Sequence, residues 1–204
     1  MKKPIAVLIS GSGSNLQALI DACAKPGYPA KIVLVISSKD DAYGLKRAEA
    51  AHIPAQAIRY KDYPDRDAFD AALHAAILAS GAEVVCLAGF MRILTAGFVE
   101  KWQGRMLNIH PSLLPLFKGT DTHKAALLAG IKIHGCTVHY VTPEMDSGPI
   151  IAQAAVRVMP GDTPQMLAAR VLEAEHLIYP LALARVIAPE SPQAAVSATM
   201  VIGI

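Results

Sequence analysis

Short, unbroken apolar runs alternate with helical-period stretches through the first half of the chain. Runs at 5–9, 32–36, 55–59, 84–87 and 106–109 read as strands. Between the first two, 15–25 carries Leu16, Leu19, Ile20 and Cys23 at the i, i+3, i+4, i+7 spacing of one helix face. The stretch 65–80 carries Phe69, Leu73 and Ile77 at successive i+4 steps, again one helix face, and Gly81 supplies a C-cap. Strands alternating with helices predict parallel pairing through right-handed crossovers.

After Pro111 the pattern changes. A loop bearing proline and glycine runs to Thr120, a helix is expected at 122–129, and two longer strands are expected at 132–141 and 150–158. Thr163-Pro164 reads as a helix start, threonine capping and proline in the first turn. Leu167, Val171, Ala174, Ile178 and Leu181 form the apolar stripe of that helix, and Pro180 is expected to kink or interrupt it. The stretch 190–204 is patterned too weakly to separate a loose tail from an edge strand. No repeat or linker is visible, so the sequence reads as one domain over 1–188 with a tail at 189–204.

Composition narrows the function classes. The chain has 204 residues, 53% of them hydrophobic and 18% charged, which suits an ordered globular domain. Nineteen basic side chains against seventeen acidic ones, with no basic run, argue against a nucleic-acid partner. Lys2 and Lys3 precede an apolar run that stops at Ser10-Gly11, too short for a secretion signal or a membrane span. Cys23, Cys86 and Cys136 are odd in number and lack metal-ligand spacing, and they read as reduced core residues of a cytoplasmic protein. The scattered histidines support no metal site; His134 and His139 fall on opposite faces of a regular strand.

Three segments carry candidate chemistry. Gly11-Ser12-Gly13-Ser14-Asn15 joins the first strand to the first helix, where glycines allow close backbone approach and free amides face an anion. Leu16 stands where a dinucleotide fingerprint needs its third glycine, and no Gly-Lys-Ser/Thr follows, so a mononucleotide-type phosphate fits best. Asn108-Ile109-His110-Pro111-Ser112 places a carboxamide and an imidazole on one face of a strand end. Asp146 lies in the loop Pro143-Glu144-Met145-Asp146-Ser147-Gly148-Pro149. If the fold brings it to His110, the carboxylate favours the imidazolium and raises the histidine pKa. An amide, an imidazole and a carboxylate with no activated nucleophile suit oxyanion stabilisation and proton transfer. Ser112 lacks the Gly-x-Ser-x-Gly elbow and reads as a turn or cap residue. Cys136, mid-strand, reads as packing.

These segments, together with Ala88-Gly89-Phe90-Met91-Arg92-Ile93-Leu94 and Glu175-His176-x-x-Tyr179-Pro180, resemble the folate-dependent formyltransferases from about Pro4 to Ala188. The likeness is strongest to the branch that acts on glycinamide ribonucleotide. It implies a Rossmann-like formyltransferase fold of α/β class, with a mostly parallel central sheet flanked by helices and a long C-terminal helix. It implies transfer of the formyl group of 10-formyltetrahydrofolate, as co-substrate, to the amine of glycinamide ribonucleotide in purine biosynthesis, without a metal. Asn108, His110 and Asp146 would be the catalytic group. Gly13, Ser14 and Asn15 would cradle the ribonucleotide phosphate, and Glu175 would bond the ribonucleotide. Met91, Arg92, Ile93 and Leu94 would line the folate pocket, with Leu87, Phe90 and Val99 packed nearby. Arg66 would lie toward the benzoyl-glutamate end, and Val141, Thr142, Pro143, Glu144 and Met145 would close over the pterin. Leu116, Thr120-Asp121 and Leu172 depart from the family pattern; a glutamine often stands at the position of Leu172. The alternatives are a formyltetrahydrofolate deformylase, with water replacing the amine, a methionyl-tRNA formyltransferase, disfavoured by the missing basic surface, and a non-catalytic nucleotide- or folate-binding module. A homodimer is left open.

Overall fold

The computed structural model describes residues 1–189 and the backbone of 201–203; the remainder of the expected tail, 190–200 and 204, lies outside the described residues. Contacts divide the chain into two compact units, Met1–Leu107 and Asn108–Ile204.

The first unit is built on β1 (Lys3–Ile9), β2 (Ala30–Ser37), β3 (Ala55–Ala57) and β4 (Val84–Leu87), all parallel, in the order β3-β2-β1-β4. Ile5 to Ile9 are completely buried, as befits a strand with neighbours on both edges and packing on both faces. Helix α1 (Ser14–Ala24) buries Leu16, Leu19 and Ile20. Helix α3 buries Phe69, Leu73 and Ile77 and spans Arg66–Ala79; Asp65 caps it by accepting the Ala68 N–H at 2.8 Å, and Gly81 follows in the left-handed region at φ 72°.

Two helices of this unit escape the periodicity reading. Helix α2 (Tyr43–Ala50) buries only Gly44 and Ala48, so no large apolar stripe marks it. Helix α4 (Ala96–Lys101) has six residues, too few to show a period. Strand β3 ends two residues earlier than expected. Its three residues are exposed, and Arg59 beyond it pairs with Asp40 and Asp62 instead of continuing the ladder.

Strand β5 (Met106–His110) leaves the first unit and carries Asn108 and His110 into the second. The second unit contains α5 (Thr122–Leu128), the antiparallel pair β6 (Ile133–Tyr140) and β7 (Ile150–Arg157), the long helix α6 (Pro164–Ile187), and a short strand β8 (Val201–Gly203) parallel to β7. Part of the weakly patterned tail is therefore strand. A Cβ at Gly135 would collide with the Ala154 carbonyl oxygen, so this close β6–β7 approach requires glycine.

Helix α6 starts as expected, with Thr163 accepting the Met166 N–H at 3.2 Å and Pro164 in the first turn. It is not interrupted at Pro180. Ile178, Tyr179, Ala182 and Leu183 are buried around the proline, and their packing offsets the roughly 3 kcal/mol that an interior proline costs. The stripe also ends differently: Leu181 is 46% exposed, and Ala182, four residues after Ile178, takes the buried position. Among the described residues, no helix is long and apolar enough to cross a membrane.

His134 on β6 is fully buried, its ring edge-on to Phe117 and His123 at centroid distances of 5.9 and 5.3 Å. Burial above all, and His123 next, push its pKa down to about 4, against a smaller opposing pull from the Pro111 backbone. An unfolded histidine titrates near 6.5, so between those values the unfolded chain holds the extra proton and stability falls as pH drops. The loss should reach on the order of 3 kcal/mol near pH 4 and then level off. His134→Leu should remove this share of the acid limb. Urea unfolding of both proteins at pH 7, 5.5 and 4.5 checks it: parallel acid limbs would mean that native His134 is not held neutral.

Candidate active site

The three residues singled out as a catalytic group converge in the second unit. Asn108 and His110 share one face at the end of β5, and Ile109 turns the other way into the core. The turn after His110 is fastened from several sides. The Ser112 N–H returns to the His110 carbonyl at 2.9 Å, the Ser112 hydroxyl donates to the Leu116 carbonyl at 2.6 Å, and the Thr137 hydroxyl donates to the Ser112 carbonyl at 2.7 Å. Ser112 is thus a fully buried turn residue with its proton committed to a carbonyl, not a nucleophile.

His110 is 4% exposed. Its Nε2 lies 2.9 Å from the Phe117 carbonyl, which can only accept, so the ring donates there. Its Nδ1 faces Asp146 Oδ2 at 3.5 Å. Asp146 adopts a left-handed backbone, φ 50°, and Oδ2 accepts the Gly119 N–H at 2.9 Å. Lys118 Nζ donates to the Ser147 hydroxyl at 2.6 Å, tying the loop after β5 to the loop between β6 and β7.

A fourth residue joins the group. His139 Nδ1 donates to the Tyr140 carbonyl at 2.9 Å, which leaves Nε2 as an acceptor in the neutral ring. Burial, the largest cause, lowers the His139 pKa, outweighing Asp146, whose Oδ1 stands 3.8 Å from Nε2. The neutral Nε2 is 3.2 Å from Asn108 Nδ2 and accepts its proton. That contact orients the carboxamide and leaves the second N–H of Asn108 for a ligand. In the sequence His139 is one of several scattered histidines. The only available signal was its place near the end of a strand just before the Asp146 loop. His134 and His139 do sit in separate surroundings, and the β6–β7 register shifts between Val138 and His139.

Cys136 is a poor nucleophile. Burial, followed by the charge of Glu175, raises the Cys136 pKa. Burial and then His110 lower the His123 pKa. Glu175 itself is 7% exposed, so its place at mid-helix is not an ordinary surface position.

The remaining sequence candidates are placed as follows. In the first unit, Gly13 at φ 70° is the N-cap of α1, and no side chain caps that helix start. Ser14 and Asn15 form its first turn, with Asn15 largely buried. Leu87 and Val99 are buried and Phe90 half-buried, whereas Met91, Arg92 and Ile93 are exposed. The Arg92 guanidinium lies over the Tyr60 ring at 5.2 Å. Arg66 is the exposed first residue of α3. In the second unit, Val141 and Thr142 are half-buried and Pro143, Glu144 and Met145 exposed.

The sequence matches the family described as Formyl transferase over residues 3–183. Phosphoribosylglycinamide formyltransferase of Escherichia coli (strain K12) is 49% identical over 179 residues, which is 88% of this chain and 84% of that protein. The trifunctional purine biosynthetic protein adenosine-3 of Gallus gallus is 53% identical over 182 residues, 89% of this chain but 18% of that protein; the chain therefore spans only a small part of such relatives. The crystal structure of phosphoribosylglycinamide formyltransferase from Brucella melitensis superposes with a TM-score of 0.89 at 52% identity, covering 92% of this chain and 97% of that one. The α/β fold with a mostly parallel sheet, flanking helices and a long C-terminal helix is thus that of these enzymes, and the chain belongs to the formyl transferase family.

Proposed function

We propose that this chain transfers the formyl group of 10-formyltetrahydrofolate to the amine of glycinamide ribonucleotide, with Asn108, His110 and Asp146 as its catalytic residues. The observation that carries the reading is the meeting of these side chains without an activated serine or cysteine beside them. The names of the relatives supply the substrate class.

The amine attacks the formyl carbon, and the carbonyl oxygen becomes an oxyanion. Asn108 donates its remaining Nδ2–H to that oxygen, held in place by neutral His139. His110 Nε2–H, now given to the Phe117 carbonyl, is the second donor, and the oxyanion takes the place of that carbonyl. Asp146 faces the other ring nitrogen, Nδ1, at 3.5 Å, where its carboxylate serves as counter-charge to the ring in the transition state. Asp146 then relays a proton through water from the attacking amine to the departing folate nitrogen. No covalent enzyme intermediate is needed.

Gly13, Ser14 and Asn15 take the ribonucleotide phosphate at the uncapped start of α1, and Glu175 bonds the ribonucleotide. Met91, Arg92, Ile93 and Leu94 receive the folate through their backbone, supported by Leu87, Phe90 and Val99. Arg66 meets the benzoyl-glutamate end, and 141–145 covers the pterin.

Asn108→Ala and His110→Ala should each lower turnover on the order of 10²–10³-fold, the usual cost of one oxyanion donor, and leave ribonucleotide binding nearly intact. Release of tetrahydrofolate from purified protein, with and without glycinamide ribonucleotide, measures this. Near-normal turnover in both variants would sink the mechanism, and formate release without the ribonucleotide would identify a deformylase. His139→Phe removes the acceptor that orients Asn108 and should cost roughly tenfold in turnover. Added to Asn108→Ala, it should cost little more, because the two act as one unit. Fully additive losses would break the proposed coupling.

A further inference from the structure

The segment between β4 and α4 is held at its two ends by buried polar side chains that the mechanism leaves unused. Ser10, at the end of β1, is 4% exposed, and its hydroxyl oxygen accepts the Met91 N–H at 2.8 Å across 81 residues of sequence. Its own orientation is fixed by the Ser38 hydroxyl at 2.7 Å. Asp70, on α3, is also 4% exposed, and its Oδ2 accepts the Thr95 N–H at 2.7 Å. Its Oδ1 is buried and has no hydrogen-bond partner. A carboxylate in that setting is costly, and an apolar residue would pack there at less expense.

Between the two anchors the backbone is not engaged. Among the described residues, the N–H groups of Arg92, Ile93 and Leu94 make no hydrogen bond to the protein. Met91 and Ile93 are each 67% exposed, an unusual state for two large apolar side chains so close together. Gly89, at φ 74°, turns the chain into this segment from β4. The result is a short strap with fixed ends, unpaired amides and apolar side chains on display. Such a strap suits a flat ring system with hydrogen-bonding groups along one edge.

We infer that Ser10 and Asp70 are positioning residues for the formyl donor: they hold the 91–94 strap in its binding shape before the ligand arrives. The inference rests on the reading above that this strap receives the folate. Anchoring both ends lowers the ordering cost of binding, so losing an anchor should weaken donor binding and leave the chemical step alone. If Asp70 served only to steady the start of α4, its loss would act on overall stability and on both substrates alike.

The test compares Ser10→Ala, Asp70→Ala and Asp70→Asn with the wild-type enzyme, the last keeping a carbonyl acceptor for the Thr95 N–H. Ser10→Ala and Asp70→Ala should raise the KM for the formyl donor roughly tenfold, with kcat and the ribonucleotide KM nearly unchanged. Amide hydrogen exchange in the unliganded variants should quicken at Met91 in Ser10→Ala and at Thr95 in Asp70→Ala, and Asp70→Asn should keep both the donor KM and the Thr95 exchange near wild type. Unchanged exchange at these two amides, or parallel losses for both substrates together with kcat, would overturn the inference. The exchange measurement needs no substrate, so it decides whether the anchors hold the strap even if wild-type protein proves unable to transfer formyl, which would instead defeat the reaction proposed above.

Discussion

Asp146 holds the proposed catalytic group in register. Its carboxylate accepts the Gly119 N–H at 2.9 Å, faces His110 Nδ1 at 3.5 Å and approaches His139 Nε2 at 3.8 Å. A single half-buried carboxylate thus faces the loop after β5, the end of β5 and the end of β6. Burying a carboxylate is tolerable only when donors surround it. The Gly119 N–H supplies one such donor, and the backbone is left-handed at Asp146 and at Phe117, on the two loops that meet there.

The two histidines beside that charge are differentiated by their hydrogen bonds. His139 gives Nδ1–H to the Tyr140 carbonyl and is held neutral by burial, so its free nitrogen can only accept. His110 gives Nε2–H to the Phe117 carbonyl and turns Nδ1 to the carboxylate. One ring therefore orients an amide donor, and the other is itself a donor through Nε2. Two chemically identical side chains acquire opposite roles because backbone carbonyls choose which nitrogen carries the proton.

The first unit uses the same economy. Ser10 and Asp70 accept backbone N–H groups from a segment distant in sequence, and the loop after β1 starts α1 without a side-chain cap. In each case the parallel core supplies rigidity, and the polar groups at the ends of its strands determine what the loops present.

Much of this was legible in the residues. The apolar runs of β1, β4 and β5, the stripe of α3 and the Thr163-Pro164 start of α6 follow from period and capping, which are local properties of the chain. So does the pairing of Asn108 with His110 on one face, since strand geometry alone requires it. The family likeness rests on the same motifs, and the comparisons agree with it. Other features depended on contacts between distant segments. Helix α2 has no large apolar stripe, α6 runs through Pro180 because its neighbours bury both sides of the proline, and His139 looked like any other strand histidine until β6 was placed beside Asn108. Sequence could name Asp146 but not bring it to His110, because that approach depends on turn geometry and on a hydrogen bond from Gly119. Periodicity and local chemistry are encoded within a few residues. The electrostatic neighbourhood of a side chain is a property of the folded packing, and only the tertiary structure supplies it.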